Sequence, residues 1–552
     1  MIILDRVTIT YPGATQPALS DVSLHIPEGE MSLVIGPTGS GKSTLLGAMN
    51  GLVPHFTGGT LSGSVVVAGR DTAMHPPRDL ADVVGVVRQD PMASFVTDTV
   101  EEELAYTMES LGIPPATMRQ RVEETLDLLA LEHLRDRALL TLSAGERQRV
   151  AIGAVLTAHP RLLVLDEPTS ALDPAAAEEV LAALQRLVHD LGLTVVLAEH
   201  RLERVLEFAD SVILLPGGGR SIRMGSPADI MRDSPIAPAV IRLGRAQGWQ
   251  PLPLSVRDAR RQAGALRQCV IDRAQHQVPH ETQAQTSPAV PADLTVDVVK
   301  MTVGYSETPV LRDIDLTVRR GEVVAIMGRN GAGKSTLLRS LAGIHRPQRG
   351  SITVSGLDPA QLRGPALTTS IGMVPQDPMD ILTFDRVDKE CAQADLDTPA
   401  TAGRAAALLS LLAPEIEPHQ HPRDLSEGQR LALALAVVMS GVPHVVLLDE
   451  PTRGLDYAMK ARLADQLRDM AAAGHSVLLA THDVELTAEV ADRVIVLAQG
   501  SIVADGPVAQ VVLASPVFAP TVAKVLQSPQ LRDLPGFLPM TPESLSQLVG
   551  SP

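Results

Sequence analysis

The sequence contains the same glycine-rich phosphate-binding loop twice. The first copy reads GPTGSGKST at residues 36–44, and the second reads GRNGAGKST at residues 328–336. Each copy follows a short apolar run and precedes a leucine-rich stretch, which is the strand–loop–helix setting that the motif requires. Glycines let backbone N–H groups surround phosphate oxygens at a helix N-terminus, where the helix dipole favours negative charge. Two copies in this setting indicate two nucleotide sites rather than chance glycine turns.

The residue types within each loop predict separate roles. The lysine can reach the β- and γ-phosphates, and the serine that follows it can hold Mg²⁺. The predicted nucleotide-binding residues are Gly36, Pro37, Thr38, Gly39, Ser40, Gly41, Lys42, Ser43 and Thr44, together with Gly328, Arg329, Asn330, Gly331, Ala332, Gly333, Lys334, Ser335 and Thr336.

Composition narrows the class of protein. A chain of 552 residues is too long for one hydrophobic core, so several domains are expected. The formal net charge of −17 and the scarcity of aromatic residues argue against nucleic acid as the main partner. Cys269 and Cys391 show no metal-ligand spacing and fit a reducing cytosol. The opening residues MIILDRVTI lack the basic and long apolar regions of a signal peptide, so none is expected.

One apolar stretch approaches the length of a membrane span. It covers residues 431–448 and reads LALALAVVMSGVPHVVLL. Ser440, Gly441, Pro443 and His444 interrupt it in the middle. We therefore predict a buried helix, a turn and a buried parallel strand at this place, and no crossing of a membrane.

The two halves align beyond the phosphate loops. The matching segments near their starts are residues 2–11 with 294–305 and residues 18–24 with 310–316. These segments alternate apolar and polar residues, as half-buried antiparallel strands do. The later runs at 162–165 and 445–448 are continuously apolar, which suits strands buried on both faces of a parallel sheet. With helical stretches between the strands, the pattern predicts an α/β fold in each half.

The segment between the halves has a different composition. Residues 263–292 are rich in Gln, Pro, Ala and His, and we interpret them as a flexible linker. The predicted domains are therefore residues 1–262 and residues 293–552, each with its own C-terminal extension. A tether between homologous halves favours their pairing within one chain, because it raises their effective concentration.

An acidic pair follows the continuous apolar run in each half. These pairs are Asp166 with Glu167 and Asp449 with Glu450. An Asp at the carboxyl end of such a strand can reach the Mg²⁺ shell, and the adjacent Glu can polarise a nucleophilic water. Since each half also has a phosphate loop, we predict that these carboxylates act on a bound nucleotide.

The order of motifs resembles that of the ATP-binding-cassette (ABC) ATPases. Each half has a phosphate loop, a glutamine, an LSxGxxR signature, an Asp-Glu pair, a further Asp and a His, and the signature Ser precedes the Asp-Glu pair by the same distance in both halves. The residues matching the family are Gln89 and Gln376 in the glutamine loop, Ser143, Gly145, Ser426 and Gly428 in the signature, Asp173 and Asp456 in the aspartate loop, His200 and His482 as switch histidines, and Tyr11 and Tyr305 beside adenine. For the two tyrosines, packing on a loop is an equally good interpretation.

The resemblance implies two tandem P-loop NTPase (ABC ATPase) domains. Each would have a mostly parallel core sheet, a small antiparallel sheet and a helical subdomain, with ATP and Mg²⁺ as cofactors. It implies a catalytic set of Glu167, Glu450, His200, His482, Gln89 and Gln376, and a metal-binding set of Ser43, Gln89, Asp166, Ser335, Gln376 and Asp449.

The resemblance also implies a head-to-tail sandwich of the two halves. Ser143 and Gly145 would then cap the ATP held by Lys334, and the second signature would cap the ATP held by Lys42. Because neither half has lost a motif residue, two competent sites are expected.

The residues that follow Gln89 narrow the resemblance. Residues 90–104 resemble the glutamine loop and acidic segment of energy-coupling-factor ATPases, which power uptake of vitamins and transition-metal ions. The run VVLAEHRLE at 195–203, with Glu199 where many cassettes have Thr, is similar to the same group. The second half departs from it, because residues 387–390 echo the acidic segment only poorly.

These observations together predict an ATPase that drives a membrane importer from the cytoplasmic face of the cell membrane. Its expected partners are polytopic subunits, namely a transmembrane T component and a substrate-binding component, and no nucleic acid. Two alternatives stay open. One is a fused ATPase of a conventional peptide or solute importer, and the other is an ABC-F-type translation factor on the ribosome.

Overall fold

The chain forms two compact units, Met1–Ser255 and Val256–Pro552. The computed structural model describes the whole chain except residues 15, 171, 173, 218–219, 277–293, 305–307, 400, 516–517, 529–530, 532–538 and 550–552.

The first unit contains an antiparallel sheet and a larger, mostly parallel sheet. Its strands are β1 (Ile2–Thr10), β2 (Leu19–Ile26), β3 (Met31–Ile35), β4 (Thr60–Val67), β5 (Arg70–Asp71), β6 (Val84–Val87), β7 (Leu162–Asp166), β8 (Thr194–Ala198), β9 (Ser211–Leu214) and β10 (Arg223–Gly225). The antiparallel sheet has the order β2-β1-β4-β5, and the six-stranded sheet has the order β10-β9-β3-β8-β7-β6. All neighbours in the six-stranded sheet are parallel except β10 and β9.

Burial along these strands follows the sequence pattern. Strand β1 buries Ile2 and Leu4 while Ile3 is half exposed, so one face of the antiparallel sheet covers the core. Strand β3 is buried at every position, because both faces of the central sheet are covered. The predicted α/β fold with a small antiparallel sheet is confirmed.

Helices flank the sheets of the first unit. They are α1 (Lys42–Met49), α2 (Leu52–His55), α3 (Pro77–Leu80), α4 (Val100–Ser110), α5 (Pro115–Leu128), α6 (Ala144–Leu156), α7 (Pro174–Leu191), α8 (Leu202–Val205), α9 (Pro227–Ile230) and α10 (Ala239–Ala246). Helices α4, α5 and α6 pack against one another as a helical subdomain. Gly153 permits the close approach of α6 and α4, since a Cβ there would lie 2.7 Å from Leu104 Cδ2.

The second unit repeats this architecture. Its strands are β11 (Leu294–Gly304), β12 (Pro309–Arg319), β13 (Val323–Met327), β14 (Arg349–Val354), β15 (Ile371–Val374), β16 (Val445–Asp449), β17 (Ser476–Ala480), β18 (Arg493–Ala498) and β19 (Ser501–Pro507). An antiparallel sheet has the order β12-β11-β14, and the core sheet has the order β15-β16-β17-β13-β18-β19. Only β18 and β19 pair antiparallel in the core sheet.

The helices of the second unit begin before its first strand. They are α11 (Val256–Gln262), α12 (Gly264–His276), α13 (Lys334–Leu341), α14 (Pro365–Ser370), α15 (Val387–Leu396), α16 (Arg404–Leu412), α17 (Glu427–Ser440), α18 (Tyr457–Ala472), α19 (Val484–Val490), α20 (Val508–Ala514), α21 (Thr521–Leu526) and α22 (Pro542–Val549). Helices α15, α16 and α17 form the second helical subdomain.

The start of the predicted flexible linker is a helix. Residues 264–276 form α12, which packs against α22, while α11 packs against α21. Leu266, Val270 and Ala274 are buried at four-residue spacing, so one face of α12 is covered. The prediction of a flexible linker from residue 263 was therefore wrong for residues 264–276, because a short apolar period among the polar residues forms the buried face of a helix. Residues 277–292 of the predicted linker lie outside the described residues.

The apolar stretch at 431–448 has the predicted form. It consists of most of α17, a turn at 441–444 and the start of β16. Within the described residues, none of the helices combines the length and apolar character needed to cross a membrane.

Candidate nucleotide sites

Both phosphate loops lie at the carboxyl ends of parallel strands. The first loop joins β3 to α1, and the second joins β13 to α13. Gly41 and Gly333 precede these helices with φ angles of 94° and 104°, a left-handed conformation that favours glycine. Lys42 Nζ and Lys334 Nζ each donate to the carbonyl oxygen of the first glycine of their own loop, at 2.9 and 2.8 Å. Both buried ammonium groups are thus held against the loop that would carry the phosphates.

In the first unit, three of the predicted catalytic side chains meet. Gln89 Nε2 donates to Glu167 Oε2 at 3.2 Å, and His200 Nε2 lies 3.0 Å from Glu167 Oε1. Glu167 follows β7, and its backbone N–H donates to the Ala198 carbonyl at 2.9 Å. This places the carboxylate between the glutamine loop and the switch histidine.

In the second unit, the equivalent carboxylate has a different set of neighbours. Glu450 Oε2 lies 2.6 Å from His482 Nδ1, and Glu450 Oε1 lies 3.5 Å from Lys334 Nζ. Gln376 lines a cavity of about 100 Å³ together with Glu450 and Arg453. The structure therefore brings the predicted catalytic residues together in this unit as well.

The backbone is strained at both glutamates. Glu167 and Glu450 have φ angles of 50° and 51°, in the left-handed region that residues with a side chain rarely adopt. Such a conformation costs on the order of 1–3 kcal/mol and persists only where the surrounding structure enforces it.

The serine and the aspartate of the predicted metal-binding set are paired in each unit. Asp449 Oδ1 accepts a hydrogen bond from Ser335 Oγ at 3.1 Å, while Asp449 Oδ2 is buried with no hydrogen-bond partner among the described residues. Burial raises the pKa of Asp449 and of Asp166, and hydrogen bonds from Ser335 and Ser43 oppose this pKa shift. A hydroxyl beside a carboxylate with a spare oxygen is a donor set that suits Mg²⁺.

Each signature serine caps a helix. Ser143 Oγ accepts from the Glu146 backbone N–H at 3.3 Å at the start of α6. Ser426 Oγ accepts from the Gln429 backbone N–H at the same distance, at the start of α17. The signature glycines sit in the first turn, and a Cβ on Gly145 would lie 2.8 Å from Ala176 Cβ. Each signature thus presents a helix N-terminus, which suits a phosphate.

Two further pairs of predicted residues are the tyrosines and the aspartates of the aspartate loops, and the structure describes one member of each pair. Tyr11 is half-buried, and its hydroxyl donates to Thr44 Oγ1 at 3.3 Å beside the first loop. Asp456 caps α18 by accepting from the Met459 backbone N–H at 2.9 Å. Tyr305 and Asp173 lie outside the described residues.

Sequence analysis missed a pair of buried glutamates beyond the glutamine loop. Glu103 Oε2 accepts from the backbone N–H groups of Val96 and Thr97, at 3.0 and 2.9 Å. Glu390 accepts from the backbone N–H of Phe384 in the second unit. Residues 387–390 resemble the acidic segment of the first half only poorly in sequence, but Glu390 accepts from a preceding backbone N–H as Glu103 does. The shared spacing to the preceding valine, 100 to 103 and 387 to 390, is a signal that could have revealed it.

Fold and site define a tandem P-loop ATPase. The ABC transporter family model matches residues 19–170 and 311–453, more than half of the chain. The chain belongs to this family as an ATP-binding protein, and ATP hydrolysis is the activity of its two cassette domains.

Relatives match almost the whole chain. A Streptomyces coelicolor protein, provisionally described as an ABC transporter ATP-binding protein, is 56% identical over 550 residues, covering 95% of this chain and 97% of the relative. A Methanosarcina mazei protein with the same description is 34% identical over 566 residues, covering 99% of this chain and 93% of the relative. Among solved structures, CbiO1 of Clostridium perfringens, part of the ABC transporter complex CbiONQ, is 29% identical, covers 42% of this chain and 89% of its own, and has a TM-score of 0.38.

Proposed function

We propose that the chain energises a membrane importer of the energy-coupling-factor type, for a vitamin or a transition-metal ion. Family membership supplies ATP binding, hydrolysis and transport. The finer proposal rests on the resemblance of residues 90–104 and 195–203 to that group. Its partners would be polytopic membrane subunits, a T component and a substrate-binding component, at the cytoplasmic face of the membrane.

The path from Gln89 to the protein surface is the structural observation that supports coupling of ATP hydrolysis to a membrane partner. Gln89 contacts the candidate catalytic Glu167, and seven residues later the Val96 side chain is 60% exposed. Buried Glu103 holds the backbone of Val96 and Thr97, so this segment is anchored to α4 of the helical subdomain. Movement of Gln89 on ATP hydrolysis would thus be passed directly to an exposed surface.

A groove lined in part by Ser94, two residues before Val96 in the sequence, has the character of a docking site. It encloses about 240 Å³ between the core and the helical subdomain, and its lining includes Leu52, Pro77, Ser94 and Thr107. Two large apolar side chains close to groove residues in sequence, Phe56 and Met74, are 78% and 76% exposed. Exposed apolar groups near groove residues in the sequence suit an apolar helix of a membrane subunit.

At each site we assign the chemistry to the carboxylate cluster. Glu167 and Glu450 act as general bases that orient and deprotonate the attacking water, and His200 and His482 position these carboxylates. Lys42 and Lys334 bind the β- and γ-phosphates. The predicted metal-binding residues, namely Ser43, Gln89 and Asp166 at the first site and Ser335, Gln376 and Asp449 at the second, would hold Mg²⁺, which would neutralise phosphate charge when bound.

We further propose that the halves 1–262 and 293–552 pair head to tail, as the family resemblance implies. Each signature serine and glycine would then complete the nucleotide site of the opposite half. ATP would hold the sandwich closed, and hydrolysis would release it.

Two substitutions of matched exposure test whether the exposed segment that follows Gln89 contacts a membrane subunit. Val96 and Leu191 are both 60% exposed, but Leu191 ends α7 just before the start of β8, at the amino ends of the parallel strands, whereas the phosphate loop lies at their carboxyl ends. Val96→Asp should abolish co-purification of a polytopic membrane protein from native membranes and leave basal ATPase activity intact, whereas Leu191→Asp should change neither. Recovery of the wild-type chain with ribosomes and without a membrane subunit would instead support the ABC-F alternative.

A further inference from the structure

The two switch histidines are preceded by different buried residues. Glu199 stands between β8 and His200, and Thr481 stands between β17 and His482. Glu199 is only 2% exposed, and Thr481 is fully buried. A buried carboxylate is costly unless donors surround it. Its presence in one half alone therefore requires a local arrangement that the other half lacks.

The donors to Glu199 come from two loops of the first site. Glu199 Oε1 accepts from the Thr169 backbone N–H at 2.7 Å and from Thr169 Oγ1 at 2.6 Å. Glu199 Oε2 accepts from the His200 backbone N–H at 3.2 Å. Thr169 lies two residues after Glu167, whose carboxylate contacts the His200 ring. One buried side chain thus joins the segment that follows the candidate catalytic carboxylate to the segment that carries the switch histidine.

The second site anchors its histidine loop differently. Thr452 is the counterpart of Thr169 and is buried, but its Oγ1 has no hydrogen-bond partner within the described parts of the chain. Thr481 Oγ1 accepts from the Asp483 backbone N–H at 3.0 Å, inside its own loop. The Asp483 carboxylate is held instead by Lys460 Nζ of α18, at 2.8 Å.

We propose that Glu199 is a positioning residue for ATP hydrolysis at the first site, because it fixes the backbones that carry Glu167 and His200 relative to each other. The inference rests on the proposed role of Glu167. Hydrogen bonds to a carboxylate are strong and directional, and small misplacements of catalytic groups have large effects on rate. Burial raises the pKa of Glu199, and the hydrogen bonds from Thr169 oppose this rise.

The matched threonines give a test that compares the two sites. Thr169→Val removes the hydroxyl donor to Glu199, whereas Thr452→Val removes a hydroxyl that has no partner among the described residues. Both changes are nearly isosteric. In the full chain with Mg²⁺-ATP, we expect Thr169→Val to lower kcat by about twofold or more, with KM for ATP unchanged. Thr452→Val should leave kcat unchanged.

Substitution of Glu199 itself completes the experiment. Glu199→Thr, which introduces the residue of the second half, should lower kcat as Thr169→Val does, and the double variant should lose no more than the larger single effect. Glu199→Gln keeps an acceptor for Thr169 and should therefore have a higher kcat than Glu199→Thr. Equal kcat values for Thr169→Val and Thr452→Val, or an unchanged kcat for Glu199→Thr, would overturn the proposal. If Glu167→Gln leaves kcat at the wild-type value, the fault lies in the assignment of Glu167 and not in Glu199.

Discussion

The two nucleotide sites hold equivalent glutamates in different surroundings. In the first unit Glu167 contacts Gln89 and the Nε2 edge of His200, whereas in the second unit Glu450 contacts the Nδ1 edge of His482 and lies close to Lys334. The motif residues determine which groups meet in each half. The residues beside the motifs differ between the halves and anchor the loops differently.

Removal of both glutamates gives the largest expected effect. A positioned general base contributes about 10²–10⁴ in rate. The double variant Glu167→Gln/Glu450→Gln should therefore lose turnover by about that factor while it still binds ATP, as measured by steady-state hydrolysis and equilibrium nucleotide binding. Wild-type turnover in this variant would refute the assignment at both sites.

A signature substitution tests whether the two sites depend on each other. If the halves pair head to tail, Gly428→Asp should repel the phosphates of the nucleotide gripped by Lys42 and leave labelling of the Lys334 loop intact. Photo-cross-linking with an azido-ATP and mapping of the labelled peptides measures both sites at once. Retained labelling of the Lys334 loop is the internal control for folding of the second unit. Loss of label from the Lys334 loop alone would contradict the head-to-tail arrangement.

A core substitution compares the buried and the exposed face of α12. Val270 is fully buried on α12, so Val270→Ala should lower the free energy of unfolding by about 2 kcal/mol. Exposed Gln268, on the same helix, should tolerate alanine within about 0.5 kcal/mol. Urea unfolding followed by circular dichroism measures both. Equal effects would show that α12 is not packed as described.

The buried carboxylate of the first site predicts a small, pH-dependent difference in stability. The pKa of Glu199 is raised above its ordinary 4.5 by burial. Protonated Glu199 therefore adds to the stability of the folded state. This contribution is fully present below pH 4.5, the ordinary pKa, and is lost as pH rises through the raised pKa of the folded state. Thermal melts should show the stability of wild type relative to Glu199→Gln falling as pH rises from 4.5. A difference that does not change with pH would argue against this shift.

Sequence alone predicted the parts of the molecule that follow local rules. The strand–loop–helix settings of Lys42 and Lys334, the antiparallel strands and the interruption of the 431–448 stretch depend on short-range patterns, and the structure has them. The partner of Glu199 could not be predicted, because Thr169 lies thirty residues away and meets it only through the pairing of β7 with β8. Helix α12 was missed for a similar reason, since its apolar face is short and its packing partner lies in the C-terminal extension.

Site-resolved trapping of ADP with vanadate tests most directly whether both halves hydrolyse ATP. The full chain is incubated with Mg²⁺, vanadate and an azido-ATP, irradiated, and digested, and the label on the peptides that contain Lys42 and Lys334 is compared. Because both sites retain their lysine, carboxylates, glutamine and histidine, we predict that both peptides are labelled under vanadate. Label confined to one peptide would show that one half binds ATP without hydrolysing it, and would contradict the account of two competent sites.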